Sequence, residues 1–117
     1  MATPAAEVIR RRFFAPGQTL HAPHLLDLEV AQVLRRYFLS RVLSPERAQQ
    51  ALEFFTDLPL TRYQHSAFLP RIWELRQNLT AYDAAYVALA EALRATLITR
   101  DAALASSFGH TARIVLL

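Results

Sequence analysis

Residues 78–99 read NLTAYDAAYVALAEALRATLIT, which places an apolar helix directly before a short β-branched run. Thr80 and Asp83 match a capping box, in which a hydroxyl and a carboxylate three residues apart satisfy backbone N–H groups at the start of a helix. The helix that follows is apolar on every side, so we expect it to be buried between neighbouring elements. The run ATLIT at 95–99 predicts a buried strand.

The rest of the chain continues this alternation of helices and strands. Further strands are predicted at 19–22 (TLHA), at 60–64 (LTRYQ) and, as a second buried strand, in the C-terminal ARIVLL. Helices are predicted at residues 4–13, at residues 66–77 with Leu69, Ile72 and Trp73 on one face, and, as a short helix, from Asp101. Another predicted helix has five apolar residues on one face: Leu26, Val30, Val33, Leu34 and Tyr37. A further helix is opened by Ser44 and Pro45, and its predicted core stripe is Ala48, Leu52 and Phe55. Strands separated by helices imply a mostly parallel sheet with helices on both faces, so the predicted fold class is α/β, in one domain spanning 1–117.

Composition excludes several classes of protein. The chain has no cysteine, which rules out a disulfide framework, a thiolate zinc site and a cysteine nucleophile. It has neither an apolar run of membrane-spanning length nor a recognisable targeting segment, so we expect a cytoplasmic protein without a membrane partner. All 13 basic residues are arginine. Arginine suits phosphate binding, but a GC-rich genome is the stronger explanation of this bias.

Three carboxylates are candidates for a shared site. Asp101 follows the strand at 95–99, and ligands of open parallel sheets bind outside the carboxyl ends of the strands. Asp83 heads the apolar helix, and Glu29 flanks the apolar stripe of an earlier helix. Each has an ordinary alternative, since Asp83 and Asp101 are also helix caps and Glu29 is also a solvated glutamate; Asp27, on the other flank of the stripe, is a further candidate. Acidic groups from separate elements would form an all-oxygen site for Mg²⁺ or Mn²⁺, which is typical of phosphoryl chemistry.

Three segments together resemble a known family. The runs HLLDLEV (24–30), NLTAYDAAYVALAE (78–91) and LITRDAAL (97–104) are similar to PIN-domain ribonucleases, most closely to VapC-type toxins of bacterial toxin–antitoxin pairs. The resemblance implies a three-layer α/β/α domain that cleaves RNA with magnesium, usually as a homodimer, and is inhibited by a cognate antitoxin. By position, it implies that Glu29, Asp83 and Asp101 are the metal-binding catalytic residues and that Thr99 is a hydroxyl near the metal ligands.

One departure from the family pattern weakens the expected activity. Family members begin with an apolar strand that ends in an Asp-x-Ser motif, and the sequence lacks this strand and its aspartate. A misassigned start codon, a truncation and a natural remnant are alternative explanations. Without the strand, its two neighbours would have unpaired edges, and three carboxylates should bind a metal less well than four. We therefore expect a poor or inactive nuclease; the alternative is a catalytically inactive PIN-like protein that binds antitoxin or dimerises.

Other residues give weaker signals. The four histidines lack the spacing of a metal site, so isolated or packed histidines are expected: His21, His24, His65 and His110. An aromatic set is either an interaction groove or core: Phe54, Phe55, Phe68 and Trp73. Three arginines are either RNA phosphate contacts or solvated side chains: Arg71, Arg76 and Arg100.

Overall fold

The computed structural model describes residues 17–117, in which helices and strands alternate along the chain. The strands are β1 (Leu20–Pro23), β2 (Leu60–Tyr63), β3 (Thr96–Thr99) and β4 (Arg113–Leu116). The helices are α1 (Leu25–Leu39), α2 (Pro45–Asp57), α3 (Leu69–Glu74), preceded by a 3₁₀ turn at Ser66–Phe68, α4 (Ala81–Leu93) and α5 (Ala102–Ala105). The predicted strands agree with these to within one residue at each end. The helix predicted at residues 4–13 lies outside the described residues.

All strand pairing among these residues is parallel, which confirms the predicted α/β class. β1 pairs with β2, with Leu20 opposite Leu60. β3 pairs with β4, with Thr96 opposite Arg113. Each pair is joined through intervening helices, as parallel strands require.

The four strands form two separate two-stranded sheets within residues 17–117. A cleft of about 680 Å³ lies between them, lined by Leu20–Ala22 of β1 and Thr96–Ile98 of β3. Helix α4 contacts both β1 and β3, so both sheets rest on the same helix. The expectation that these strands have unpaired edges is therefore met for the described part of the chain.

Helix α4 is the centre of the core, as its sequence predicts. Six of its residues are buried, and four of these are alanines, whose small side chains let neighbouring elements approach closely. The buried cluster comprises Ile72, Leu75, Ala84, Ala85, Val87, Ala88 and Leu104. Leu75 and Val87 are the largest fully buried side chains among the described residues.

Several predictions of burial were wrong. Neither α1 nor α2 contains a buried residue, so the expected core stripe of Ala48, Leu52 and Phe55 does not exist. These two helices pack mainly on each other, and their apolar faces remain partly open. Of the face predicted at residues 66–77, Ile72 is buried but Leu69 and Trp73 are exposed, which leaves Trp73 as a surface residue and not core. The strands β3 and β4, both predicted to be buried, are only partly buried. Apolar periodicity marks a face that avoids water, but it does not distinguish the core from a surface that a partner could cover.

No helix in the part of the chain described here combines the length and hydropathy needed to cross a membrane.

Candidate active site

Asp83 is held at the start of α4 by the predicted cap. The Thr80 hydroxyl oxygen accepts a hydrogen bond from the Asp83 backbone N–H at 3.1 Å. Because the turns that follow are buried, α4 gives the Asp83 carboxylate a rigid support. The Thr80 half of the predicted capping box is therefore confirmed.

Asp101 lies just after β3, at the carboxyl end of the strand, and caps α5. Its Oδ1 accepts hydrogen bonds from the backbone N–H groups of Ala103 (2.9 Å) and Leu104 (3.2 Å). The Thr99 hydroxyl oxygen accepts a hydrogen bond from the Asp101 backbone N–H at 3.0 Å. Thr99 therefore fixes the loop that presents Asp101. Both capping hydrogen bonds are accepted by Oδ1, so the cap leaves Oδ2 for another role.

Glu29 projects from α1 and accepts a hydrogen bond at Oε1 from the Tyr86 hydroxyl of α4. Tyr86 is half-buried, and burial followed by the neighbouring Glu29 raises the pKa of its phenol, which therefore remains a neutral donor. Tyr86 was not among the residues predicted from the sequence. Its position three residues after Asp83 was the available signal, because side chains at that spacing share one face of a helix.

The three predicted carboxylates line one cavity of about 880 Å³. Burial, then Asp101, and to a smaller extent Glu29, raise the pKa of Asp83, while a hydrogen bond with Thr80 opposes the shift. Ionised carboxylates that repel one another gain from a nearby cation. The other polar residues of the cavity wall are Arg36, Tyr86, Thr99 and Arg100.

These side chains do not enclose a metal ion as they stand. Among residues 17–117, no three His, Cys, Asp or Glu side chains are grouped tightly enough to coordinate one ion together. Mg²⁺ commonly takes only one or two direct carboxylates and keeps several waters, so a cage of three protein ligands is not required. The all-oxygen donor set and the repulsion at Asp83 fit such a hydrated hard cation.

The further acidic candidate, Asp27, has a different partner. Its carboxylate pairs with Arg62 Nε, at 2.7 Å and 3.0 Å to its two oxygens. Asp27 does not line the carboxylate cavity. The structure thus separates the two acidic residues that flank the apolar stripe of α1.

The three arginines proposed as phosphate contacts differ in their surroundings. Arg71 binds Glu91 with two hydrogen bonds of 2.8 Å, and Arg76 lies 4.6 Å from the centre of the Trp73 ring. Arg100 lines the carboxylate cavity. Of the three, Arg100 is the one next to the carboxylates.

Two of the four histidines make hydrogen bonds within the fold. His21 makes hydrogen bonds with Thr19 (2.8 Å) and Tyr63 (2.7 Å). His110 contacts the Ser107 hydroxyl at 2.9 Å and accepts a hydrogen bond from the Ala112 N–H at 3.2 Å. Both side chains stabilise local loop or strand geometry.

The PIN domain family model matches residues 2–107. The chain belongs to the PIN-domain family.

Three mycobacterial relatives extend the match. Ribonuclease VapC12 of Mycobacterium tuberculosis is 39% identical over 116 residues, covering 99% of this chain and 88% of the relative. Ribonuclease VapC1 of the same species is 48% identical over 100 residues, covering 82% and 73%. The VapC ribonuclease Mb0985 of Mycobacterium bovis is 47% identical over 85 residues, covering 73% and 67%.

These matches confirm the resemblance to VapC-type PIN ribonucleases that three short segments of the sequence indicated. The family model spans all three segments, from HLLDLEV through LITRDAAL. In this PIN domain, one carboxylate from each segment lines the same cavity: Glu29, Asp83 and Asp101.

Proposed function

We propose that this PIN domain is the toxin of a toxin–antitoxin pair and hydrolyses phosphodiester bonds of RNA with Mg²⁺, or Mn²⁺ in its place. The supporting observation is the cavity shared by Glu29, Asp83 and Asp101, in which burial, followed by the neighbouring acidic groups, raises the pKa of Asp83. The similarity to proteins described as VapC ribonucleases supports the same assignment. Such a protein acts in the cytoplasm, where its RNA substrate is found.

The residues of the cavity divide into two roles under this proposal. Glu29, Asp83 and Asp101 hold the divalent cation, directly or through its waters. A bound cation of this kind lowers the pKa of water and offsets negative charge on a phosphate. Arg36 and Arg100 line the same cavity, where their guanidinium groups can pair with RNA phosphates and orient the substrate.

Slow cleavage is expected, because the three carboxylates do not form a closed set of ligands in the described residues. The test is cleavage of an end-labelled RNA by the purified 117-residue protein, with Mg²⁺ and with EDTA. We expect weak cleavage that requires Mg²⁺ and is lost in Asp83→Asn. Glu53→Gln, an exposed change on α2, is the matched control and should cleave like the original protein. Cleavage that persists in EDTA or in Asp83→Asn would refute the metal-dependent mechanism.

A second function, binding of a protein partner, is favoured by the open apolar surface of α1 and α2. A groove of about 330 Å³ runs between these helices, and two polar residues, Arg35 and Gln49, line it beside a larger apolar set: Ala31, Leu34, Phe38, Pro45, Ala48 and Leu52. We propose that this groove binds an apolar helix of the antitoxin or of a second copy of the chain. This function would remain in a catalytically inactive protein.

Binding through the groove is tested by substituting one of its exposed aromatic residues. Phe38→Asp should weaken binding of the antitoxin encoded beside the toxin, or self-association, at least tenfold, because a charge would be buried in an apolar contact. Phe108→Asp is the control, since Phe108 is also exposed but does not line the groove. Equal effects of the two substitutions would exclude the groove as the binding surface.

A further inference from the structure

Glu29 is exposed on α1, so packing around its own side chain does little to fix its carboxylate. It lies on α1, which has no buried residue and packs on α2, a helix that also has none. By contrast, Asp83 is anchored by the buried helix α4, and Asp101 by its cap and by Thr99. A carboxylate on a long side chain at an exposed position samples many rotamers unless another group restrains it.

Tyr86 supplies this restraint across the gap between α1 and α4. It lies one turn after Asp83 on the buried helix, and its hydroxyl donates to Oε1 of Glu29. The tyrosine ring is rigid and half-buried, so its hydroxyl is fixed relative to Asp83. This one hydrogen bond therefore ties the carboxylate of the loosely packed helix to the rigid part of the site.

We propose that Tyr86 is a positioning residue that holds the Glu29 carboxylate in register with Asp83 and Asp101 for metal binding; this inference rests on the proposed function. The hydroxyl engages one oxygen of Glu29 and leaves Oε2 for the cation or its waters. Because the donor is neutral, it stabilises the carboxylate without competing with the cation for a place in the cavity. Groups that orient metal ligands in this way commonly change metal affinity by about 10- to 100-fold when removed.

The test measures Mn²⁺ binding by calorimetry, which does not depend on RNA cleavage. Tyr86→Phe keeps the ring and removes the hydroxyl, and it should weaken Mn²⁺ binding by about 10-fold. Tyr82→Phe is the matched control, because Tyr82 lies on the same helix and is exposed; its affinity should change less than about twofold. Circular dichroism confirms that each variant is folded.

The double variant shows whether Tyr86 acts through Glu29. In a Glu29→Gln background, Tyr86→Phe should cause no further loss of Mn²⁺ affinity, because the group that it positions is already changed. Additive losses would overturn the proposal and would instead indicate a general effect of Tyr86 on helix packing. Full affinity in Tyr86→Phe alone would overturn it as well.

The effect of Asp83→Asn on Mn²⁺ binding distinguishes a failure of the positioning role of Tyr86 from a failure of the proposed metal site. If Asp83→Asn and Glu29→Gln weaken Mn²⁺ binding but Tyr86→Phe does not, the metal site stands and the positioning role is wrong. If Asp83→Asn leaves Mn²⁺ binding unchanged, the proposed metal site itself is wrong, and the role of Tyr86 is rejected with it.

Discussion

At the scale of single residues, the same side chain can serve both stability and chemistry. The Asp101 carboxylate caps α5 with Oδ1, and its Oδ2 is not part of that cap. Asp83 lies in the first turn of α4, and burial and nearby acidic groups raise its pKa. A capping motif in a sequence is therefore compatible with a functional role for the capping residue.

The raised pKa of Asp83 predicts a stability change in Asp83→Asn. A carboxyl group whose pKa is higher in the folded state favours folding when protonated, so its contribution falls as pH rises through that pKa. At pH 7 we expect Asp83→Asn to be more stable than the original protein by up to about 1 kcal/mol. The gain should shrink as the pH falls and Asp83 becomes protonated. Urea unfolding at several pH values measures it, and a constant difference across pH would contradict the electrostatic origin.

The pKa of Glu91 is shifted in the opposite direction to that of Asp83. Hydrogen bonds from Arg71, its largest influence, together with those from Thr111, outweigh burial and lower the pKa of Glu91 to about 2. The stabilisation from this ion pair is therefore present above the ordinary glutamate pKa and is lost as the pH falls toward 2. We expect Glu91→Gln to cost about 2 kcal/mol at pH 7 and much less at pH 2, measured by urea unfolding.

Glu74→Gln is the control for Glu91, since Glu74 contacts the same arginine at 3.2 Å but is well exposed to solvent. Glu74→Gln should lower the free energy of unfolding by less than about 0.5 kcal/mol. Equal costs for the two substitutions would show that burial does not strengthen the Arg71–Glu91 pair.

At the scale of elements, local sequence patterns predicted which helices and strands form better than they predicted which residues are buried. Pro45 after Ser44, and Thr80 three residues before Asp83, define helix starts through backbone chemistry that needs no distant partner. β3 and β4 were recognised from β-branched and aliphatic runs. The burial of α1 and α2 could not be predicted, because it depends on which surfaces meet. The Tyr86–Glu29 contact was missed for the same reason, since it joins residues 57 positions apart.

The burial of each side chain predicts where a leucine can be replaced by alanine without a large loss of stability. Leu75 follows α3 and is 1% exposed against α4, so Leu75→Ala should cost about 2–5 kcal/mol through lost contacts and a cavity. Leu28 on α1 is 72% exposed, and Leu28→Ala should change stability by no more than about 0.5 kcal/mol. Chemical denaturation of both variants measures the difference, and a large cost at Leu28 would place α1 in the core.

At the scale of the whole molecule, the main feature is the division of the described strands into two parallel pairs. β1 and β3 face a common cleft and rest on one helix. Strand edges that lack a pairing partner can associate with other chains. The family resemblance suggested unpaired edges, and the sequence alone could not show how far the two strand pairs would remain separate.

The strand edges that lack a partner within residues 17–117 predict self-association, which a charge at the cleft should reduce. Thr96 is an exposed residue of β3 that lines the cleft, and Thr96→Lys should lower the fraction of dimers and larger species at high protein concentration. Thr61→Lys on β2 is the matched control, since Thr61 is exposed and does not line the cleft. Sedimentation velocity measures the distribution, and an equal reduction by both variants would exclude the cleft as the cause.

The carboxylate cavity is the feature on which the proposed activity depends, and a crystal of the protein soaked in Mn²⁺ tests it directly by anomalous scattering. We predict an anomalous peak inside the cavity lined by Glu29, Asp83 and Asp101, at roughly 2.0–2.6 Å from an oxygen of at least one of these carboxylates. The peak should be absent from crystals of Asp83→Asn treated in the same way. A soaked crystal with no peak in this cavity, or with its Mn²⁺ bound at other residues, would contradict the assignment of a metal-dependent nuclease site.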